Sequence, residues 1–336
     1  MLRLPGPSIL VYPMKDSRNK SGEQSVPPPP GARKEPLPWQ APKAKEDDPD
    51  ALKRLEAIMA SPGYLQADDD VEFLGRSDTT RGIRLQLDYL KAESLLEQHG
   101  IQHTIVAFGS TRIHEPATLK RDLARIRIQL EDAPEDRKLQ RRLVVLERLL
   151  AKSRYYDVAR EFGEIVGRAG NGPGDNRVML VTGGGPGIME ASNRGVFDAG
   201  ARSIGLNITL PHEQYPNPYI TPELCFRFHY FAIRKLHFLL RARALVAFPG
   251  GFGTFDELFE TLTLIQTRKI NPLPVVLVGE EFWRGAFDVD FLAAEGVIDA
   301  EDKELFWFAE TADEIWQGLN HWYAAGGESF LPALDE

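Results

Sequence analysis

The sequence predicts an α/β protein: a Rossmann-like parallel sheet with helices on both faces, preceded by a helical extension and interrupted by a helical hairpin. Three observations carry this. From about residue 103 onward, short apolar runs alternate with longer amphipathic stretches, which is the pattern of parallel strands joined by crossover helices. Two of those apolar runs end in loops dense in glycine just before a helix. The 336 residues are 43% hydrophobic and 26% charged, an ordinary globular composition with ample core to bury.

Taken in order, residues 1–50 read as a disordered tail. Lys, Glu, Asp, Ser and Pro dominate it, with Pro27 to Pro30 in one run, and such a segment buries too little apolar surface to offset its ordering entropy. Residues 51–100 read as a helical extension, with helices at 50–60 (Leu52, Leu55, Ile58) and 80–98 (Leu85, Leu87, Leu90, Leu95, Leu96). The main domain then spans 101–330. Its first strand, 104–108, is a continuous apolar run ending in Gly109-Ser110, as expected of a buried parallel strand. Residues 117–150 carry leucines at helical spacing and are punctuated by Pro134, which predicts an inserted helical hairpin. It reads either as a peripheral packing element or as a cover that reshapes the site. A helix at 154–168 follows. Further strands are expected at 177–182, 203–208, 225–229, 244–248 and 274–278, with helices near 187–199, 231–242, 254–267 and 311–324.

The totals exclude several classes. One cysteine, Cys225, rules out an internal disulfide framework and fits a reducing, cytoplasmic location. A formal net charge of -9 argues against a nucleic-acid partner, although a small anionic ligand needs only local positive potential. The N-terminal apolar run is short and broken by Pro5, Pro7 and Pro13, unlike a signal segment. No stretch of about 18 apolar residues suggests a membrane span.

Chemistry concentrates at three strand ends: Gly109-Ser110-Thr111-Arg112, the run from Thr182 through Gly183, Gly184, Gly185 and Gly187 to Glu190, and the run Pro249-Gly250-Gly251-Phe252-Gly253-Thr254-Phe255-Asp256-Glu257. Glycine lets backbone N–H groups approach a ligand, and the following helix offers unpaired donors and a positive dipole end. That is the physics of a phosphate site. Other nucleotide fingerprints fail: a G-x-G-x-x-G counted from Gly185 meets Glu190, and no Gly-Lys-Ser/Thr follows either loop, which disfavours a dehydrogenase or a triphosphatase. Glu257 has two readings. With Thr254 it matches a capping box; alternatively, it is a carboxylate beside the phosphate loop, facing a ribose, where it orients water or stabilises an oxocarbenium-like sugar. Arg234 and Lys235 open an otherwise apolar helix, where a buried charge requires a partner, a ligand phosphate, Glu257 or the neighbouring loop; alternatively Arg234, Lys235 and Arg241 mark a narrow solvated stripe. No metal or cofactor signature is present.

The Arg234-Lys235 pair followed by Pro249 to Glu257 strongly resembles the signature of the Lonely Guy (LOG) phosphoribohydrolases, an R-K pair and then P-G-G-x-G-T-x-x-E. The run at 183–190 resembles the family's earlier glycine-rich loop, and Phe108-Gly109-Ser110 its first strand end, so the likeness covers about 103–295. Members are often labelled lysine decarboxylases, yet no lysine here sits in a pyridoxal-phosphate context. The resemblance implies hydrolysis of the N-glycosidic bond of a nucleoside 5′-monophosphate, AMP or an N6-substituted cytokinin-type AMP. It implies catalytic Arg234 and Glu257, and substrate contacts at Ser110, Gly184, Gly185, Gly187, Glu190, Lys235, Gly250, Gly251, Gly253 and Thr254. It also implies a homodimer and no cofactor. The alternative is a nucleotide sensor of the same fold that does not cleave its ligand. Compact members of the family lack the tail, the helices before 103 and the 117–150 insertion.

Overall fold

The computed structural model describes residues 48–333, apart from 62, 65, 67–69, 76–77, 170–171, 173 and 211–214. The tail expected at 1–50 therefore lies, but for its last three residues, outside the described residues. The chain divides into two compact units, Met1–Asp70 and Val71–Glu336. In the first, helix α1 (Ala51–Met59) buries none of its residues.

Among the described residues the second unit is built on seven strands, all parallel: β1 (His103–Phe108), β2 (Val178–Thr182), β3 (Ile204–Ile208), β4 (Cys225–Phe228), β5 (Ala242–Ala247), β6 (Val275–Val278) and β7 (Trp307–Ala309). Their spatial order is β4-β3-β2-β1-β5-β6-β7. Side chains alternate across the sheet, as a two-residue period demands. Ile105, Ala107, Leu180, Ala244, Val246, Val276 and Val278 point into one core. Val106, Phe108, Met179, Val181, Leu245, Ala247, Val275 and Leu277 point into the other. The first core is covered by α6 (Arg154–Arg168), α7 (Ile188–Asp198) and α12 (Ala312–Ala325). The second is covered by α3 (Arg81–Gln98), α8 (Phe231–Leu240) and α9 (Phe252–Gln266). Both faces are thus buried, which is why the strands read as continuous apolar runs.

The inserted segment forms two helices, α4 (Pro116–Asp132) and α5 (Arg137–Lys152), around a small core of Leu119, Leu123, Ile126 and Leu146. Elements not expected from the sequence include α2 (Val71–Gly75), α10 (Glu280–Ala286), α11 (Val289–Ala294) and β7. Helix α9 begins at Phe252 rather than Thr254, and α8 stops at Leu240 so that β5 can begin at Ala242. Among the described residues no helix is long and apolar enough to cross a membrane.

The strand order fixes where a ligand can sit. From β1 the chain winds outward through β2, β3 and β4, then returns to the other side of β1 for β5. The loops leaving β1 and β5 consequently diverge, and such a switch point opens a crevice at the carboxyl ends of the strands.

Candidate active site

A cleft of about 650 Å³ occupies that switch point. Its walls are the β1 loop (Gly109 to Ile113), the β5 loop and start of α9 (Pro249 to Glu257), Met189, Phe231 and Arg234, with Leu149 and Lys152 from α5 and Phe282 from α10. Main-chain bonds tie the three strand-end loops together. The Ser110 amide donates to the Pro249 carbonyl at 3.0 Å, and the Ile188 amide donates to the Ser110 carbonyl at 3.1 Å.

The start of α9 faces this space. Gly251 is its N-cap, and no side chain caps it. The amides of Thr254 and Phe255 turn back to the Gly251 carbonyl at 2.9 and 3.1 Å, which leaves the first helical amides without an intrahelical partner. A Cβ placed on Gly251 or Gly253 would meet nothing within 4 Å, so backbone is bare toward the cleft. At Gly250 a Cβ would collide with the Thr254 side chain, which is itself 6% exposed.

This geometry separates the two readings of Glu257. With Gly251 as N-cap, Glu257 is the sixth helical residue, more than a turn beyond the capping position; the expected capping box is absent. The reason is that a glycine cap works through backbone freedom and leaves no side-chain signal. Glu257 instead lies 7% exposed at the floor of the cleft. Burial pushes its carboxyl up to about 7, against the pull of Lys235 and Arg234. A carboxyl there changes charge across neutral pH, which is what proton transfer at that pH requires.

Arg234 also lines the cleft. Its Nε donates to the Leu206 carbonyl at 2.6 Å, its Nη2 reaches the Gly183 carbonyl at 3.5 Å, and its guanidinium stacks over Phe238 at 5.0 Å. Burial holds it below the usual guanidinium value, with the Glu257 carboxylate offsetting part of that effect. Helix α8, which carries it, is braced from α3. Asp88 accepts the amides of His229 and Tyr230, both at 2.8 Å, and Glu93 binds Arg241 through two bonds of 2.7 and 2.8 Å.

Of the residues expected to contact substrate, Ser110, Gly250, Gly251, Gly253 and Thr254 join Arg234 and Glu257 along the cleft. Gly184, Gly185, Gly187, Glu190 and Lys235 are not among its lining residues. Lys235 is paired with Asp256 at 2.9 Å and Glu260 at 2.8 Å, both on α9. Glu190 accepts a bond from the Tyr156 hydroxyl at 3.1 Å. Conversely, the cleft includes Lys152, Phe231 and Phe282, to which the sequence assigned no part. Each is one of many basic or apolar residues at helical spacing, so nothing local distinguished it. Among the described residues no group of three or more His, Cys, Asp or Glu is arranged to hold a metal.

A doubly covered parallel sheet with an open helix start, an arginine and a buried carboxylate at its switch point defines an α/β protein of the nucleotide-site kind. Comparison with known proteins narrows this. A family model described as possible lysine decarboxylase matches residues 189–319. A cytokinin riboside 5′-monophosphate phosphoribohydrolase of Arabidopsis thaliana is 30% identical over 178 residues, covering 51% of this chain and 77% of the relative. A second from the same plant is 31% identical over 175 residues, covering 50% and 76%. One from Oryza sativa subsp. japonica is 31% identical over 170 residues, covering 49% and 65%. The chain belongs to the Lonely Guy (LOG) family.

Proposed function

We propose that the protein hydrolyses the N-glycosidic bond of a purine nucleoside 5′-monophosphate, AMP or an N6-substituted cytokinin-type AMP, giving free base and ribose 5-phosphate. The observation that carries this is Glu257: a buried carboxyl, pushed up to about 7, in the same cleft as the bare glycines of the α9 start and Arg234. The helix start suits a phosphate. With the phosphate held there, the ribose carbon that bears the base comes within the range of Glu257. In the reaction, the bond between C1′ and the base nitrogen breaks, and its electron pair leaves with the base, which takes up a proton from solvent, balanced when Glu257 later returns to solvent the proton it gains from water. Positive charge develops on C1′ and its ring oxygen, and ionised Glu257 stabilises it. A water oxygen then bonds to C1′ and gives its proton to Glu257. Arg234 steadies Glu257 and the substrate. The relatives named above act on cytokinin riboside 5′-monophosphates, which supports the same bond and the same phosphate here.

The test is base release from AMP, isopentenyl-AMP, GMP, CMP and IMP, measured side by side on the purified chain. Release from the adenine nucleotides is expected. Thermal stabilisation by these ligands with no free base from any of them would replace the hydrolase reading with that of a nucleotide sensor. The reading includes a cytoplasmic homodimer. Phe231 is 52% exposed, Leu236 44%, Leu240 46% and Phe252 96%, an amount of bare apolar surface on α8 and α9 that a second copy would cover. Sedimentation at the mass of one chain would remove the dimer.

A further inference from the structure

The inserted hairpin reaches the cleft. Leu149 packs against both the hairpin's own core and the sheet core beneath α6. Lys152, three residues on and thus on the same side of α5, lines the cleft together with it. The corner that follows is firmly made: Ser153 is 5% exposed, and both its amide and its hydroxyl donate to the Leu150 carbonyl, at 3.1 and 2.7 Å. Lys152 is therefore held on a fixed turn and not on a loose end. It also borders a second recess of about 450 Å³, which adjoins the main cleft at Lys152 and Phe282.

The charges of the cleft give this position a purpose. A phosphate monoester carries nearly two negative charges at neutral pH, while a helix start supplies the equivalent of about half a positive charge. The whole chain carries -9, so compensation has to be local. Two of the nearby cations are already engaged. Lys235 is paired with Asp256 and Glu260, and Arg234 is turned to the carbonyls of Leu206 and Gly183 and to the field of Glu257. Arg112 and Lys152 also line the cleft, and neither has an ion-pair partner among the described residues.

We propose that Lys152, carried in by the inserted hairpin, is a substrate-binding residue that takes the 5′-phosphate together with the α9 amides, with Arg112 as its companion on the β1 loop. This rests on the nucleotide reading above and adds to it a binding residue outside the signature motifs. The insertion thereby gains a role, since the hairpin completes the phosphate end of the site.

The experiment compares wild type with Lys152→Gln and Lys152→Arg in two measurements: steady-state base release from AMP, and calorimetric binding of ribose 5-phosphate. For Lys152→Gln, the loss of one charge-assisted contact is expected to raise KM for AMP about tenfold and weaken ribose 5-phosphate about tenfold. Its kcat stays within about twofold, and its thermal midpoint stays that of wild type. Lys152→Arg restores most of the affinity. Ribose 5-phosphate bound by Lys152→Gln as tightly as by wild type overturns the proposal. Wild type that binds ribose 5-phosphate but releases no base overturns the hydrolase reading alone, because the binding arm still decides the part played by Lys152. Wild type that does neither overturns both.

Discussion

The two glycine-rich loops look alike in sequence and differ in their surroundings. Between β2 and α7, Gly183, Gly184 and Gly187 are packed against protein. A Cβ on Gly183 would collide with the Arg234 guanidinium, one on Gly184 with the Asn207 side chain, and one on Gly187 with the Ser110 carbonyl. Some polar groups of this loop are occupied as well. The Gly184 amide donates to Thr182 Oγ1 at 3.0 Å, and the Gly184 and Gly185 carbonyls accept from Asn217 at 2.9 and 3.1 Å. Between β5 and α9, Gly251 and Gly253 face open space. Glycine density thus accompanies two surroundings, protein packed against protein and an open cleft, and the second is the one proposed to take the phosphate.

The sharpest test of the difference uses the acid beside the open loop. Glu257→Gln should lower kcat/KM for base release by at least about a thousandfold, since a charge stabiliser and general base is lost while shape is kept. The same variant reports on burial. The folded value of Glu257 is raised, so the stability linked to this group is fully present below the ordinary carboxylate range and is lost as pH rises through about 7. Glu257→Gln should therefore be more stable than wild type at pH 8, by about 3 kcal/mol, with the difference vanishing near pH 4. Urea melts at the two pH values measure it; equal stability at pH 8 would show that the carboxyl ionises without cost. For wild type, kcat/KM should rise through about pH 7 as the carboxylate forms.

Next in size is the packed loop. Gly187 caps α7 with φ 73 and ψ -127, a conformation L-residues avoid, and its Cβ would strike backbone. Gly187→Ala is expected to cost about 3 kcal/mol or more, read as a lower denaturation midpoint. Its counterpart in the open loop should respond the other way. Gly253→Ala lies inside α9 with empty space around the new methyl, so stability should hold or rise by up to about 1 kcal/mol. KM for AMP should nonetheless rise about tenfold, as the methyl occupies room meant for phosphate. If Gly253→Ala destabilised the fold as Gly187→Ala does, the contrast between the loops would collapse.

Much of this was legible beforehand. Six of the seven strands follow apolar runs visible in the sequence, because strands buried on both faces need apolar residues at every position. Strand β7 was missed although Leu305 to Ala309 is a continuous apolar run: only Trp307 to Ala309 pair with the sheet, and the run directly follows an acidic stretch. Arg234, Glu257 and the open loop were readable because their residue types and spacing are local. What stayed hidden depends on distant partners. Nothing near Gly184 announces Asn207, and nothing near Lys152 separates it from the other cations of the hairpin.

The hairpin of α4 and α5 enters and leaves within a single connection, between β1 and α6. It crosses no strand of the sheet and carries its own small core. The proposed catalytic pair lies elsewhere, on α8 and α9. On the proposed reading the hairpin adds one phosphate contact to a cleft whose glycine loop and catalytic pair lie on α9 and α8, so exchanging the hairpin would change affinity while leaving Arg234 and Glu257 in place.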